Sequence, residues 1–480
     1  MVVALPCVAQ FVIVLDVTIV AIALPVVQSD LGLSTTLLGW VVTVYPLVFG
    51  GCLLAAGRVA DRFGRRRTFV SGLVVFGGAS LACALAPSGS LLLVGRAVQG
   101  VGAALVSPAA LALVTAARPS GAARGRALGW WTAAAAGGGA SGWVLGGLLS
   151  GWLDWRWVFL INVPVCLAAA ILAPRVLAES RAAASGERAV AGGAPAVAGD
   201  TATGGHRAVA GDTATDGQRA ATGGEPGAAR IRGARGAAAA IDLPGAAFVT
   251  LGVGALVLAL SFIADGGPWL AALVVAATLL LTLTRIERRA AHPLLDKRLL
   301  GRRAVLAPNG VAAVLTATTT PPMLLCTLHA QHELGLSPAL AGLLFPPFNL
   351  AVIAASLLGP RIRRGAIPGG LLAIGAGGAL LAVHLSIPTM LIAFVVMGAG
   401  LGVASVASTA RGTEAVGPDD QGLASALLAT SAQLGTALGL AVFLPTGFVA
   451  AAALAFIIAV SWQGLDMEVR GERRPRCATG

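Results

Sequence analysis

Apolar residues run along this chain in windows of roughly 20, each long enough to cross a hydrocarbon core about 30 Å thick as a helix. The windows lie at about 3–27, 38–57, 68–87, 90–116, 127–150, 156–174, 243–264, 269–284, 304–328, 338–358, 368–385, 388–409, 422–443 and 446–463. They predict fourteen spanning helices, so the expected fold class is an all-α polytopic membrane protein. The first window begins almost at Met1, without the basic flank and small-residue cleavage site of a signal peptide, and is expected to be a genuine span.

Composition sharpens this picture. Of the 480 residues 57% are hydrophobic and 11% charged, with a mean hydropathy of +0.86. A soluble domain carries about 25% charge, so a water-soluble enzyme is excluded.

The loops test the span count, because alternate loops should be basic if every span is real. Arg58, Arg62, Arg65, Arg66 and Arg67 follow span two; Arg118, Arg124 and Arg126 follow span four; Arg175 and Arg181 follow span six. Arg285, Arg288, Arg289, Lys297, Arg298, Arg302 and Arg303 follow span eight, and Arg361, Arg363 and Arg364 follow span ten. Arg411 follows span twelve, and Arg470, Arg473, Arg474 and Arg476 follow the last. The intervening loops hold almost no basic residue, Arg156 being the exception, so both termini are expected in the cytoplasm. Trp40, Trp152, Trp155, Trp157 and Trp269 fall at the opposite ends, where interfacial aromatic anchors are expected. The net charge of +12 is thus a topology signal, and no nucleic-acid partner is expected.

Between spans six and seven, about 182–240, the chain is rich in Ala, Gly and Thr, and AVAGDTAT occurs at 196–203 and again at 208–215. Without large aliphatic periodicity this stretch cannot bury enough surface to offset chain entropy, and a disordered cytoplasmic linker is expected. The expected organisation is a six-helix group at 1–174, the linker at 175–242, two additional spans and a basic loop at 243–303, a second six-helix group at 304–463, and a cytoplasmic tail at 464–480.

Ionisable side chains are scarce inside the windows, where each costs roughly 2.5–3.5 kcal/mol on insertion scales. Asp16, in VIVLDVTIV, lies near the middle of span one, and Arg96, in LLLVGRAVQG, about two turns into span four. Opposite charges facing a shared cavity offset each other's desolvation and can exchange protons with water or substrate. A structural ion pair, or an Arg96 that snorkels to the interface, is the plainer alternative.

The loop after span two reads GRVADRFGRRR, Gly57 to Arg67. Its single acid, Asp61, among arginines and beside Gly64, makes a tight turn able to pair with helix ends and latch a closed state. Gly138, Gly142 and Gly146 recur every fourth residue of span five, with Gly147 and Gly151 beyond, so a second helix backbone can approach that face closely.

Other candidates carry less. His329, His332 and Glu333 have helical spacing for a metal, but they sit at a loop end with no third ligand motif, and no metal is expected. Gly100 and Gly102, in VQGVGAAL, have no preceding strand to make a dinucleotide loop. Lys297, the one lysine, follows Asp296, so no phosphate-binding P-loop exists. Cys7, Cys52, Cys83, Cys166, Cys326 and Cys477 have no metal or redox spacing.

Taken together these segments resemble the major facilitator superfamily, and within it the fourteen-span drug:proton antiporters. LDVTIVAIALPVVQSDLG at 15–32 resembles the span-one signature, GRVADRFGRRR the loop motif between spans two and three, and RAVQGVGAA at 96–104 the span-four motif with its embedded arginine. Gly129, Gly138, Gly142, Gly146 and Gly147 match the glycines of the span-five antiporter motif. Trp143 stands where that motif has proline, which leaves the kink and tight seal attributed to it without their proline. Ala21 replaces a polar residue expected in span one, and the linker is longer than the resemblance suggests. GPRIRRG at 359–365 sits after the second span of the last six as GRVADRFG does in the first six, without its acid.

The resemblance implies a major facilitator fold of two six-helix bundles with spans seven and eight standing aside, working by alternating access. It implies proton coupling or substrate contact at Asp16, Arg96 and Gln99. A gating loop at Gly57, Asp61, Arg62, Gly64 and Arg65 and a bundle contact at the span-five glycines complete the set. The implied protein is not an enzyme. It is a monomer in the bacterial cell membrane, needs no cofactor beyond the proton gradient, and expels a lipophilic drug or self-made antibiotic in exchange for protons. A proton-coupled uptake symporter of the same superfamily is the nearest rival; a membrane-embedded enzyme or a non-transporting membrane protein is further off.

Overall fold

The computed structural model describes residues 2–117, 121–179, 243–265, 267–289, 302–358, 365–416 and 421–472. The expected linker, most of the GPRIRRG repeat, Lys297 and the last eight residues lie outside them. The described residues are helical throughout their long elements, and helix occupies each of the fourteen apolar windows. Among them, eleven helices are long and apolar enough to cross a membrane.

The first group comprises α1 (Ala4–Leu31), α2 (Thr35–Phe63), α3 (Arg65–Ala84), α4 (Gly89–Ala117), α5 (Gly121–Trp152), the single turn α6 (Trp157–Leu160) and α7 (Asn162–Val176). Two helices, α8 (Leu243–Asp265) and α9 (Trp269–Arg289), follow. The second group comprises α10 (Arg303–His332), the short α11 (Pro338–Gly342), α12 (Pro346–Leu358), α13 (Ala366–Val383), α14 (Ile387–Glu414) and α15 (Gln421–Glu472). The last two windows are joined in α15 across a break at Gly447, whose φ of 78° suits a residue without a Cβ. Helix α15 also runs past the end of the last window to Glu472, into the stretch expected to be tail.

Turn chemistry sets the helix ends. Gly32, at φ 60°, terminates α1, and the Ser34 hydroxyl accepts from the Leu37 amide to start α2. Ser386 and Thr389 form a reciprocal capping box at the start of α14. Loops alternate between an arginine-rich end and a tryptophan-rich end, called here the basic and tryptophan ends.

Within the first group α1 packs on α5, α3 on α4 and α2 on α4; within the second, α10 packs on α15, α13 on α14 and α12 on α14. Helix α8 does not stand aside, as the resemblance implied. Its Val253 and Val257 share a cluster with Leu47 of α2 and with Ala437 and Ala441 of α15, and Thr250 lies against Gly51. Small residues on both partners let the added helix settle onto the seam between the two groups.

The other seam, α5 against α11 and α12, is tight in the tryptophan half. A Cβ at Gly147 would collide with the Pro338 carbonyl, and one at Gly342 with the Trp143 carbonyl, so the two backbones touch. Gln331 also donates to the Ile22 carbonyl at 2.9 Å, tying α10 to α1. Nearer the basic end, a Cβ added at Gly129 or Gly310 would meet no described atom within 4 Å, and one at Gly57 would meet Pro108 of its own group.

Candidate functional site

A buried polar cluster joins five helices of the first group, α1, α2, α3, α4 and α7, in the tryptophan half. Asp16 and Arg96 are 0% and 1% exposed, and among the described residues they are the buried charged side chains. One guanidinium nitrogen of Arg96, Nη1, pairs with Asp16 Oδ2 and also donates to Gln99 Oε1 at 2.9 Å. Its Nε donates to the Val41 carbonyl at 3.3 Å, and its planar face lies 4.4 Å from the Tyr45 ring centroid. Charge, fork geometry and ring face are all used, which a lysine could not reproduce. Arg96 therefore does not snorkel.

The remaining acceptor of Asp16, Oδ1, receives Asn162 Nδ2 at 2.8 Å and Gln99 Nε2 at 3.2 Å. Gln99 Nε2 also donates to Ser80 Oγ at 2.7 Å, and Cys83 Sγ lies 3.6 Å from Gln99 Oε1. Tyr45, the one tyrosine of the chain, donates its hydroxyl to the Ile13 carbonyl at 3.4 Å. Tyr45, Ser80 and Asn162 were not among the residues singled out from sequence, and Cys83 was named there only as a cysteine without metal or redox spacing. Asn162 carried a usable signal, an amide inside an apolar window; the others did not.

Glycines bring these helices close enough. A Cβ at Gly95 would meet Cys83 Sγ, one at Gly100 the Tyr45 carbonyl at 2.8 Å, and one at Gly102 the Phe76 backbone at 2.6 Å. The VQGVGAAL glycines are thus packing surfaces of α4 against α2 and α3.

Of the span-five glycines, Gly138 faces the Phe11 carbonyl of α1, Gly142 faces Thr18 and the Leu15 carbonyl, and Gly146 faces the Ile19 carbonyl. Gly147 faces the second group, and Gly129 faces nothing. Trp143, in the motif's proline position, stacks on Phe345 of the second group, with centroids 3.9 Å apart and planes at 14°. Phe345 in turn stacks on Phe394 at 5.0 Å. The seam is close despite the missing proline.

In the gating loop, Asp61 pairs with Arg65 at 3.3 Å one turn away, and both are partly exposed. Gly64, at φ 108°, leaves room for a second acid the sequence reading did not include, Glu179, after α7. Glu179 Oε1 accepts from the Arg66 amide at 3.1 Å, and Oε2 lies 3.6 Å from Arg66 Nε and 3.9 Å from Arg67 Nε. Arg66 Nη1 donates to the Leu177 carbonyl at 3.2 Å, closing the clasp between α3 and α7.

Two expectations at the tryptophan end change. Trp155 is 1% exposed and donates to Asp30 at 2.8 Å, so it is a core residue and not an interfacial anchor. Arg156, the exception to the loop pattern, pairs with Asp30 at 3.1 Å and Asp154 at 3.5 Å, which neutralises it locally. Among the described residues no three His, Cys, Asp or Glu side chains converge as a metal site would need.

Apolar helices in two groups of six, meeting at a glycine-lined seam with one dry ion pair in the first, define a polytopic membrane transporter fold. The chain belongs to the Major Facilitator Superfamily, whose family model matches residues 7–440. It is 36% identical over 452 residues to the puromycin resistance protein of Streptomyces alboniger, covering 90% of this chain and 78% of that one. It is also 36% identical to a cephamycin export protein of Amycolatopsis lactamdurans, covering 92% and 83%, and 32% identical to the lincomycin resistance protein of Streptomyces lincolnensis, again 92% and 83%. Its fold is similar to a solved peptide transporter (TM-score 0.64, 15% identity, 98% of this chain and 94% of that one). A D-xylose–proton symporter is similar at TM-score 0.61 and 13% identity, with 95% of each chain covered.

Proposed function

We propose that this chain exports a small lipophilic compound, a drug or a self-made antibiotic, across the bacterial cell membrane in exchange for protons. The observation that carries the reading is the likeness, over nine-tenths of the chain, to proteins named for resistance to or export of antibiotics. In this reading the fourteen apolar windows all span, the basic end and both termini face the cytoplasm, and the protein works as a monomer without a cofactor.

The Asp16–Arg96 pair supports proton coupling through a definite physical step. Protonating Asp16 would leave Arg96 a buried cation without its counter-ion, and breaking a buried pair costs about 3–5 kcal/mol. Reversing a two-state equilibrium from 1:99 to 99:1 takes about 5.5 kcal/mol, so one proton would move the protein most of the way out of this arrangement. Exchange of proton for substrate then follows if Asp16 takes its proton on the tryptophan side and gives it up on the basic side, where its loss re-forms the pair and substrate is taken up.

The test is drug accumulation in cells expressing the chain, beginning with puromycin, lincomycin and a cephamycin, with and without a protonophore. Export predicts that accumulation rises when the gradient collapses. Accumulation that falls on collapse would identify an uptake symporter instead, and no change would remove proton coupling.

A further inference from the structure

Asn162 is 1% exposed, at the start of α7, and its amide is used on one side only. Nδ2 donates to Asp16 Oδ1 at 2.8 Å, while Oδ1 of Asn162 is buried with no hydrogen-bond donor. The amide is oriented this way because the reverse would set its oxygen against a carboxylate oxygen. A buried carbonyl oxygen left unpaired is costly and calls for an explanation.

The explanation lies in what Asp16 becomes on protonation. A carboxylate accepts; a carboxylic acid carries one O–H that must find an acceptor. Of the groups around it, Arg96 from α4 only donates. Tyr45 from α2 has its hydroxyl directed to Ile13, Cys83 of α3 is engaged with Gln99, and Cys166 lies one turn beyond Asn162 on α7. Gln99 presents its NH2 to Asp16 and is held at both ends, by Arg96 and Cys83 on its oxygen and by Ser80 on its nitrogen. Turning Gln99 would break all of these. Turning Asn162 by half a rotation breaks nothing but its bond to Asp16, and brings the idle oxygen to face the new O–H.

We propose that Asn162 is the positioning residue that serves Asp16 in both protonation states: its NH2 donates to the carboxylate, and after a half-turn its carbonyl accepts from the acid. The proton comes from water at whichever end is open and returns to water at the other, and Asn162 itself never gains or loses one. This inference rests on the coupling role given to Asp16 above.

The chain has three asparagines, Asn162, Asn309 and Asn349, so asparagine labelled with carbon-13 at the amide carbonyl isolates three bands in an infrared difference spectrum. Protein in proteoliposomes would be taken through a pH jump, as wild type, Asp16→Asn and Asn162→Leu. Wild type should yield a carboxylic-acid band that Asp16→Asn lacks, together with a shift in one labelled amide band. In Asn162→Leu the amide shift should vanish and the acid band should move to higher frequency, its O–H having lost an acceptor. Substrate-driven proton release should fall about tenfold or more, the effect of one buried hydrogen bond left unmade, while downhill substrate exchange persists. Should Asn162→Leu fail to fold, the direction of the wild-type shift decides: a carbonyl that gains the acid's O–H moves to lower frequency, whereas an amide whose NH2 merely loses its carboxylate moves to higher frequency. A wild-type acid band with no accompanying amide shift overturns the inference and leaves coupling at Asp16 standing; a wild type with no Asp16-dependent acid band overturns both.

Discussion

Replacing Trp143 by alanine tests whether the α5–α11 seam is held in the tryptophan half by its aromatic stack. An open tryptophan end lets water onto the seam, so closing it gains apolar burial as well as the packing and ring–ring terms. Stacked aromatic pairs are worth about 0.5–1.5 kcal/mol beyond area burial. Trp143 makes one such pair across the seam, with Phe345, while the Phe345–Phe394 pair lies wholly within the second group and persists either way. Trp143→Ala should therefore weaken the closed seam by at least the stack's about 0.5–1.5 kcal/mol, roughly 2- to 13-fold or more in the equilibrium between closed and open.

The assay is built into the seam. A Cβ placed on Gly151 lies 3.7 Å from the Ala339 Cβ, inside the range of about 3.5–4.5 Å that a disulfide spans. With the native cysteines replaced, Gly151→Cys with Ala339→Cys should cross-link readily. Adding Trp143→Ala should slow cross-linking by the factor above, and Trp143→Phe, which keeps a ring over Phe345, by much less. Cross-linking as fast with alanine as with tryptophan would sink the argument.

Other substitutions separate the remaining roles. Asp16→Asn should abolish substrate-driven proton movement in proteoliposomes while leaving downhill exchange, and equal proton fluxes in both proteins would put the coupling carboxylate elsewhere. Asp61→Asn removes a partly exposed pair worth under about 1 kcal/mol, whereas Glu179→Gln loosens a backbone amide and two arginines. Amide exchange at residues 65–68 should therefore quicken more in Glu179→Gln, and the reverse order would refute the clasp. Gly142→Val, which drives a side chain into the backbone of α1, should cut folded yield sharply, and Gly129→Val should be tolerated; similar yields would mean that α1 and α5 do not pack as described.

What was legible in the sequence follows from what a membrane makes expensive. Helix fills the fourteen windows because an apolar run of that length has no other way to satisfy its backbone in lipid. Asp16 and Arg96 stood out because a charge in such a run costs several kcal/mol, and the structure joins them across 80 residues of chain. Ser80 did not stand out, since its partner is set by tertiary packing alone, whereas Asn162, an amide inside an apolar window, offered a signal that was passed over. The consequence of Trp143 was not legible locally: its stacking partner Phe345, in the bend between α11 and α12, lies 202 residues further along the chain. Trp155 looked like its neighbours Trp152 and Trp157, and only the Asp30 carboxylate at the far end of α1 explains why it is buried. Helix α8 reads as one more apolar span, and its place on the seam depends on small residues in two other helices.

One helix ties the polar cluster to the seam. Helix α1 carries Asp16 toward Arg96 and Asn162, presents Phe11, Leu15 and Ile19 carbonyls to the bare face of α5, and offers the Ile22 carbonyl to Gln331 of the second group. Asp16 and Ile22 are six residues apart, about 9 Å along a helix, and no glycine or proline interrupts the stretch between them. A rigid rod clasped by α5 along half its length cannot shift at Asp16 without shifting at Ile22 or sliding on those glycines. If protonation frees Arg96 and rearranges the cluster, the shortest mechanical route to the seam runs through α1 and the Gln331 bond. Replacing Gln331 by leucine should then leave the Asp16 cluster intact but weaken the link between proton binding and Gly151–Ala339 cross-linking; an undiminished response of that cross-link to pH would show that the route lies in another helix.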